Sequence, residues 1–86
     1  MTPDEAADLY PDVEMLKMDG YDEAFIGVVE RFGMEPILCY DKDKVLDILV
    51  AGGMDEDEAL EFFEFNQLGA WMGDGTPCFL TRGIET

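Results

Sequence analysis

Apolar positions along this chain fall into short periodic stretches that end at glycine or proline. The order Thr2-Pro3-Asp4-Glu5 is typical of a helix start, because it offers an N-cap hydroxyl, a proline in the first turn and two acids near the helix amino terminus. Pro11 interrupts this first helix, and the apolar residues between positions 11 and 19 predict a further turn or two.

The next stretch has a helical period. Four apolar side chains occur at i, i+1, i+4 and i+7, namely Phe25, Ile26, Val29 and Phe32. Side chains at these intervals lie on one side of an α-helix, so the pattern predicts a helix over residues 22–32. Gly33 follows the last turn as the expected left-handed cap.

A strand followed by a helix is predicted in the middle of the chain. The short apolar run 37–40 comes directly after Pro36 and predicts a buried strand. Asp41 can cap the helix that follows, which ends at Gly52-Gly53. The apolar stripe of this helix consists of Val45, Leu46, Ile48 and Leu49.

A third helix is predicted after the glycine pair. Asp55 and Glu58 have the spacing of an acidic capping box, and the helix is expected to extend to about Leu68, where Gly69 stops it. Its apolar stripe consists of Ala59, Leu60, Phe62 and Phe63.

Two more short strands complete the predicted elements. Residues 70–72 and 77–80 are the strand candidates, and a turn is predicted at 73–75 between them. A chain of 86 residues makes one domain with a modest core. The sequence therefore predicts a single small α+β domain with three to four helices packed on a two- or three-stranded sheet, in which residues 1–18 form an N-terminal helical segment and 19–81 the core.

The charge of the chain limits its partners. Against 21 Asp and Glu there are 5 Lys and Arg and no His, which gives a formal net charge of -16. Nucleic acids and anionic membranes are both held by Lys and Arg, so the sequence predicts neither as a direct partner. Even Arg31, Lys42 and Lys44 stand among acids. The expected partner is a protein with a basic surface, such as a groove that normally holds nucleic acid.

Neither the amino terminus nor the cysteines indicate export. Residues 1–5 have no basic and apolar leader pattern, and no apolar run approaches the ~20 residues of a membrane span, so a cytoplasmic location is predicted. In a reducing cytosol Cys39 and Cys78 are expected to be two buried thiols. A disulfide would require their two runs to be neighbours in matching register, which the sequence leaves open.

Catalytic and metal-binding patterns are missing from the sequence. Without His no Ser-His-Asp or Cys-His pair can form, and neither cysteine has a basic neighbour that would lower its pKa. The acids do not follow the calcium-loop pattern, and zinc would have only two separated cysteines. No enzyme activity, cofactor or dedicated metal site is therefore predicted.

The third helix carries the candidate partner-binding residues. Acids at its start have a structural explanation, because they oppose the positive end of the helix dipole. The alternative is a contact surface that continues along the helix through Asp57, Glu58, Glu61 and Glu64. Phe65 lies off the apolar stripe, so it is either covered by another element, which is favoured, or exposed as an anchor for a protein partner.

A family resemblance rests on several short segments: 19–24, 26–28, 31–33, 61–66, 69–71 and 76–77, which read DGYDEA, IGV, RFG, EFFEFN, GAW and TP. Together they resemble a family of small acidic proteins encoded by bacteriophages and their hosts. The resemblance covers about residues 19–81 and implies no activity or catalytic residue. It implies a phage context, in which small acidic proteins resemble, in charge, inhibitors that occupy nucleic-acid-binding surfaces of host enzymes.

Three functional hypotheses follow from these observations. The first is an acidic interaction module that inhibits or modulates a host protein at a basic surface. The second is a non-catalytic structural or homo-oligomeric phage accessory protein whose acidity keeps it soluble. The third is a module that binds a small ligand or a divalent metal.

Overall fold

The computed structural model describes residues 1–68 and 72–82. Within these ranges the chain forms three α-helices and a three-stranded mixed sheet. Their bounds are α1 Pro3–Asp8, β1 Phe25–Arg31, β2 Met34–Asp41, α2 Lys42–Ala51, α3 Glu56–Phe63 and β3 Cys78–Leu80. The predicted α+β class is confirmed, with the helices at the low end of the predicted number.

The helices begin at the predicted caps. The Thr2 hydroxyl accepts the N–H of Glu5 at 3.1 Å, and the Glu5 carboxylate accepts the N–H of Thr2 at 2.8 Å, which closes a capping box at α1. The carboxylate of Asp41 accepts two backbone N–H groups at the start of α2, and that of Asp55 accepts the N–H of Glu58 at the start of α3. Each cap satisfies donors that the helix itself leaves unpaired.

The predicted helix over residues 22–32 is wrong. A single 3₁₀ turn occupies Asp22–Ala24, and the rest of the segment is β1, which pairs antiparallel with β2. Phe32 and Gly33 form the turn of this hairpin, and Phe32 is fully exposed. Gly33 does adopt a left-handed φ of +72°, but in a hairpin turn and not at a helix end.

A β-bulge in β1 changes which residues of the strand face the core, and the predicted stripe is not the buried face, since Ile26 as well as Phe32 is exposed. Phe25 is opposite Tyr40 and Gly27 is opposite Cys39, so Ile26 is an extra residue in the strand. The extra residue places Phe25 and Val28, three positions apart, on the same core-facing side. In a regular strand such residues would face opposite sides, whereas i and i+3 is the spacing of a helix face.

The second half of the sheet is parallel. The strand order is β1-β2-β3, with α2 and α3 connecting the parallel strands β2 and β3. A further turn or two of helix was predicted for residues 11–19, but this segment contains no helix. It is joined to the turn before β3 by a hydrogen bond that the Leu16 N–H donates to the Gly75 carbonyl at 3.1 Å. The predicted turn at 73–75 is present. Gly69 and the strand positions 70 and 71 lie outside the described residues, and Met72 is not in a strand.

Aromatic side chains occupy the centre of the core. Tyr40 is fully buried, its ring meets that of Phe25 edge-on at 5.8 Å, and its hydroxyl accepts the N–H of Met18 at 2.9 Å. Phe63 of α3 packs edge-on against Phe79 of β3 at 4.8 Å. The buried cluster consists of Ala6, Ala24, Leu38, Tyr40, Val45, Leu49, Ala59 and Phe63. No helix within the described ranges is long and apolar enough to cross a membrane.

Candidate interaction surface

Helix α3 packs on the core through a narrow face. Ala59 and Phe63, one turn apart, are fully buried, and Phe62 beside them is partly buried against the core. Leu60 was predicted to belong to the same apolar stripe, but it is 39% exposed. The buried stripe of α3 is therefore narrower than predicted, with Ala59 and Phe63 at its centre.

Phe65 projects from the end of this helix into solvent. The chain continues beyond Phe63 as a π-helical turn over Glu64–Leu68, and Phe65 within it is 75% exposed. The favoured prediction that another element covers this ring is therefore wrong. Two residues along a helix correspond to about half a turn, so Phe65 points away from the side on which Phe63 is buried.

A surface depression lies beside this ring. Its volume is about 360 Å³, and its lining consists of Met54, Glu58, Glu61, Phe62, Phe65 and Asn66. Glu58, Glu61 and Phe65 are predicted partner-binding residues, and their spacing of i, i+3 and i+7 places them on one helix face. The depression therefore combines two carboxylates with two aromatic rings.

The two remaining predicted residues lie next to the depression. Asp57 and Glu64 are exposed but do not line it. Glu61 lies one turn from each of them, so the four acids form one continuous acidic side of α3. We use the term α3 surface for Asp57, Glu58, Glu61, Glu64 and Phe65 together with the depression.

Sequence reasoning missed part of the lining. Phe62 was assigned to the core stripe alone, although it lies one turn from both Glu58 and Phe65 and lines the depression as well as packing against the core. Met54 precedes the N-cap residue Asp55, at a position where an apolar side chain often packs on the first helical turn. This position before the N-cap is the sequence feature that could have identified Met54. No sequence feature pointed to Asn66.

The carboxylates of the α3 surface have no basic partner in the described part of the chain. There, ion pairs join Lys17 to Asp4 and Asp19, and Arg82 to Asp41. Lys42 approaches α3, but its ammonium group lies over the Phe63 ring, 5.5 Å from the ring centre. The acids of the α3 surface are thus left to interact with solvent or with another molecule.

Asp41 has the opposite environment. Its side chain is 2% exposed, and its Oδ2 atom accepts hydrogen bonds from Arg82. Burial alone would raise the pKa of this carboxyl, but the Arg82 guanidinium and the N–H groups of Lys44 and Asp43 outweigh burial and lower the pKa below its usual value. Asp41 therefore belongs to the fold and not to the α3 surface.

The residues described hold no cluster of three or more His, Cys, Asp or Glu side chains that could bind a metal ion. The chain matches no protein-family model, no curated protein and no solved structure. Its function must therefore be argued from the geometry and charge of its own surface.

Proposed function

We propose that this chain is an acidic, phage-encoded interaction module that inhibits or modulates a host protein by occupying a basic surface that normally holds nucleic acid. One observation carries the proposal. On the α3 surface, Glu58 and Glu61 stand around a depression beside the exposed ring of Phe65, and the neighbouring acids have no basic partner among the described residues.

The spacing of the carboxylates suits a surface that normally meets a phosphate backbone. Glu58, Glu61 and Glu64 are three residues apart, so they extend over ~9 Å of helix axis. Duplex DNA carries one charge per ~1.7 Å of its axis and is held by rows of Lys and Arg. A row of acids on one rigid helix can therefore meet several of those basic side chains at once.

The aromatic residues of the depression suit the same partner. Lys and Arg bury their aliphatic stems on apolar surfaces and keep their charged ends in polar surroundings. Phe62 and Phe65 offer ring surfaces to such a stem, and Glu58 and Glu61 offer carboxylates to its end. We therefore expect an Arg or Lys side chain of the partner to occupy the depression.

The acids and the aromatic ring contribute to binding in different ways. Exposed charges at the rim mainly set the association rate and its dependence on salt. A ring that becomes desolvated in the complex mainly sets the dissociation rate. Glu61 and Glu64 are therefore the residues to test for association, and Phe65 for dissociation.

The experiment begins with capture from bacterial lysate on the immobilised protein at low and at high salt. The captured protein is identified, purified and measured in real-time binding with Glu61→Gln/Glu64→Gln. A matched control, Asp12→Asn/Glu35→Gln, removes the same charge from exposed positions outside α3 that make no ion pair or side-chain hydrogen bond within the described residues.

The proposal predicts capture of a nucleic-acid-binding protein that duplex DNA displaces. The α3 variant should associate more slowly and with a flatter salt response than the control variant, while both keep the fold. Full binding by the α3 variant at every salt concentration would rule out phosphate substitution by this surface.

A second candidate function is that of an oligomeric accessory protein. Ile26, Phe32 and Met34 of the β1–β2 hairpin are exposed, and β1 is an edge strand of the described sheet. Sedimentation of the wild type beside Phe32→Ser tests this candidate. Self-association that the substitution abolishes, without capture of a basic partner, would favour it over the inhibitor.

A further inference from the structure

Cys39 and Cys78 are directly opposite each other in the sheet. They are register partners on the parallel strands β2 and β3, although 38 residues separate them in sequence. Opposite residues of neighbouring strands project to the same side of a sheet, and the strands lie ~4.7–4.9 Å apart. That spacing falls within the ~4.4–6.8 Å between Cα atoms that a disulfide spans.

Both cysteines are free thiols, but they differ in exposure. Cys39 is buried at 7% exposure, as predicted, whereas Cys78 is only partly buried, which corrects the prediction of two buried thiols. A reagent from solution therefore has better access to Cys78, and Cys39 lies beside it on the neighbouring strand as a second, buried thiol. This is the arrangement of an attacking and a resolving cysteine.

The geometry points to a reversible dithiol–disulfide pair formed by Cys39 and Cys78, which a small-molecule disulfide such as oxidised glutathione oxidises. The inference is independent of the α3 surface. It concerns how β3 is held to β2, where the sheet pairs only three residues of each strand.

The proposed reaction has two exchange steps. In the first, the Cys78 sulfur, after losing its proton, attacks one sulfur of oxidised glutathione, which breaks the glutathione S–S bond and releases one glutathione thiolate. In the second, the deprotonated Cys39 sulfur attacks the Cys78 sulfur and displaces the second glutathione. The two protein thiols are oxidised to a disulfide, one glutathione disulfide is reduced to two thiols, and the two protons pass to these products.

The environment of Cys39 makes the second step dependent on pH. Burial, followed by the neighbouring Cys78 thiol, raises the pKa of Cys39 to about 11. Little thiolate is present at neutral pH, so Cys39 is a poor target for reagents in solution. Its attack on Cys78 depends on proximity, and it should accelerate as the pH rises, because burial still disfavours the Cys39 thiolate after Cys78 has become the mixed disulfide.

The test uses the full chain incubated with reduced and oxidised glutathione at several ratios. Intact mass and thiol counting should show a monomer that loses two hydrogens and both free thiols, and dithiothreitol should restore them. The oxidised monomer should melt at a higher temperature than the reduced one, because the bond fixes two strands that are distant in sequence.

Two variants separate the assigned roles. Cys39→Ser should accumulate a stable glutathione adduct on Cys78, because no resolving thiol remains, whereas Cys78→Ser should react far more slowly at Cys39. Circular dichroism of each variant checks its fold, and the wild-type result does not depend on either variant. A persistent wild-type glutathione adduct, a bond between two chains on a non-reducing gel, or thiols that stay reduced at the most oxidising ratio would each overturn the inference.

Discussion

Replacing Asp41 by Asn separates two contributions of one buried carboxylate. Asp41 caps α2 by accepting the N–H groups of Asp43 at 2.9 Å and Lys44 at 3.3 Å, and it is paired with Arg82 at 2.8 Å. Asn is as good an N-cap as Asp, so Asp41→Asn keeps the cap and removes the ion pair. Asp41→Ala removes both.

The magnitudes follow from these contacts. A hydrogen bond to a charged group contributes about 1.5–3 kcal/mol to stability. Asp41→Asn should therefore lower the free energy of unfolding by about 2 kcal/mol. The cost should not be larger, because the Arg82 side chain is already 59% exposed and its charge can be solvated when the ion pair is lost. Loss of the cap adds about 1 kcal/mol for Asp41→Ala. A domain of this size has roughly 4–13 kcal/mol of stability, and about 2 kcal/mol should lower its melting temperature by ~10 °C.

The contribution of the ion pair should depend on pH in one direction. Because the pKa of Asp41 is lower in the folded chain, the ionised carboxylate stabilises the fold fully above its unfolded pKa of about 3.9. That stabilisation is lost as the pH falls through the folded pKa. Asp41→Asn has no such contribution to lose, so the difference in melting temperature between wild type and variant should shrink from about pH 6 to about pH 3.

Thermal unfolding followed by circular dichroism at several pH values measures both effects. Asp41→Asn should lie between the wild type and Asp41→Ala at neutral pH. The reasoning is refuted if Asp41→Asn melts with the wild type at neutral pH, or if the difference between them stays constant on acidification.

Three further outcomes are expected. Moderate sodium chloride should raise the melting temperature, because it screens the repulsion among side chains whose net charge is -16. A melting temperature that falls steadily as salt is added would show that this repulsion does not dominate the stability. Purified protein at micromolar concentration should not retard duplex DNA in a gel shift near physiological salt, and retardation would contradict the charge argument. Phe65→Ala should change the free energy of unfolding by less than ~0.5 kcal/mol and speed dissociation of a bound partner, because this ring is exposed. Phe63→Ala, two residues earlier and buried, should cost about 3–5 kcal/mol of stability. Similar melting temperatures for the two variants would contradict the exposure of Phe65 and the burial of Phe63.

The starts of the three helices were predictable because they depend on local contacts. Thr2, Asp41 and Asp55 each cap a helix through backbone groups two or three residues away, so the sequence alone contains the relevant partners. The strand β1 was not predictable from its apolar spacing. Its bulge at Ile26 exists only in pairing with β2, and it brings Phe25 and Val28 to the core side while Ile26, a member of the predicted stripe, is exposed.

The α3 surface was predictable only in part. Helical spacing alone groups Glu58, Glu61 and Phe65 on one face, as the structure places them. The exposure of Phe65 could not be predicted, because it depends on whether another element packs over the end of α3. The pairing of Cys39 with Cys78 was equally inaccessible, since β2 and β3 are joined through two helices and their register is set by the assembled fold.

The acids of α3 do not all require the same explanation. Asp57 and Glu58 lie in the first turn, where a carboxylate interacts favourably with the positive end of the helix dipole, and Asp55 is the cap. Glu61 and Glu64 lie at the other end, where a carboxylate interacts unfavourably with the dipole and no basic residue occurs in the last turn. The helix dipole explains Asp57 and Glu58, whereas Glu61 and Glu64 do not stabilise the helix. Glu61 and Glu64, beside the exposed Phe65, are therefore the acids of this helix that best support the proposed contact with a partner.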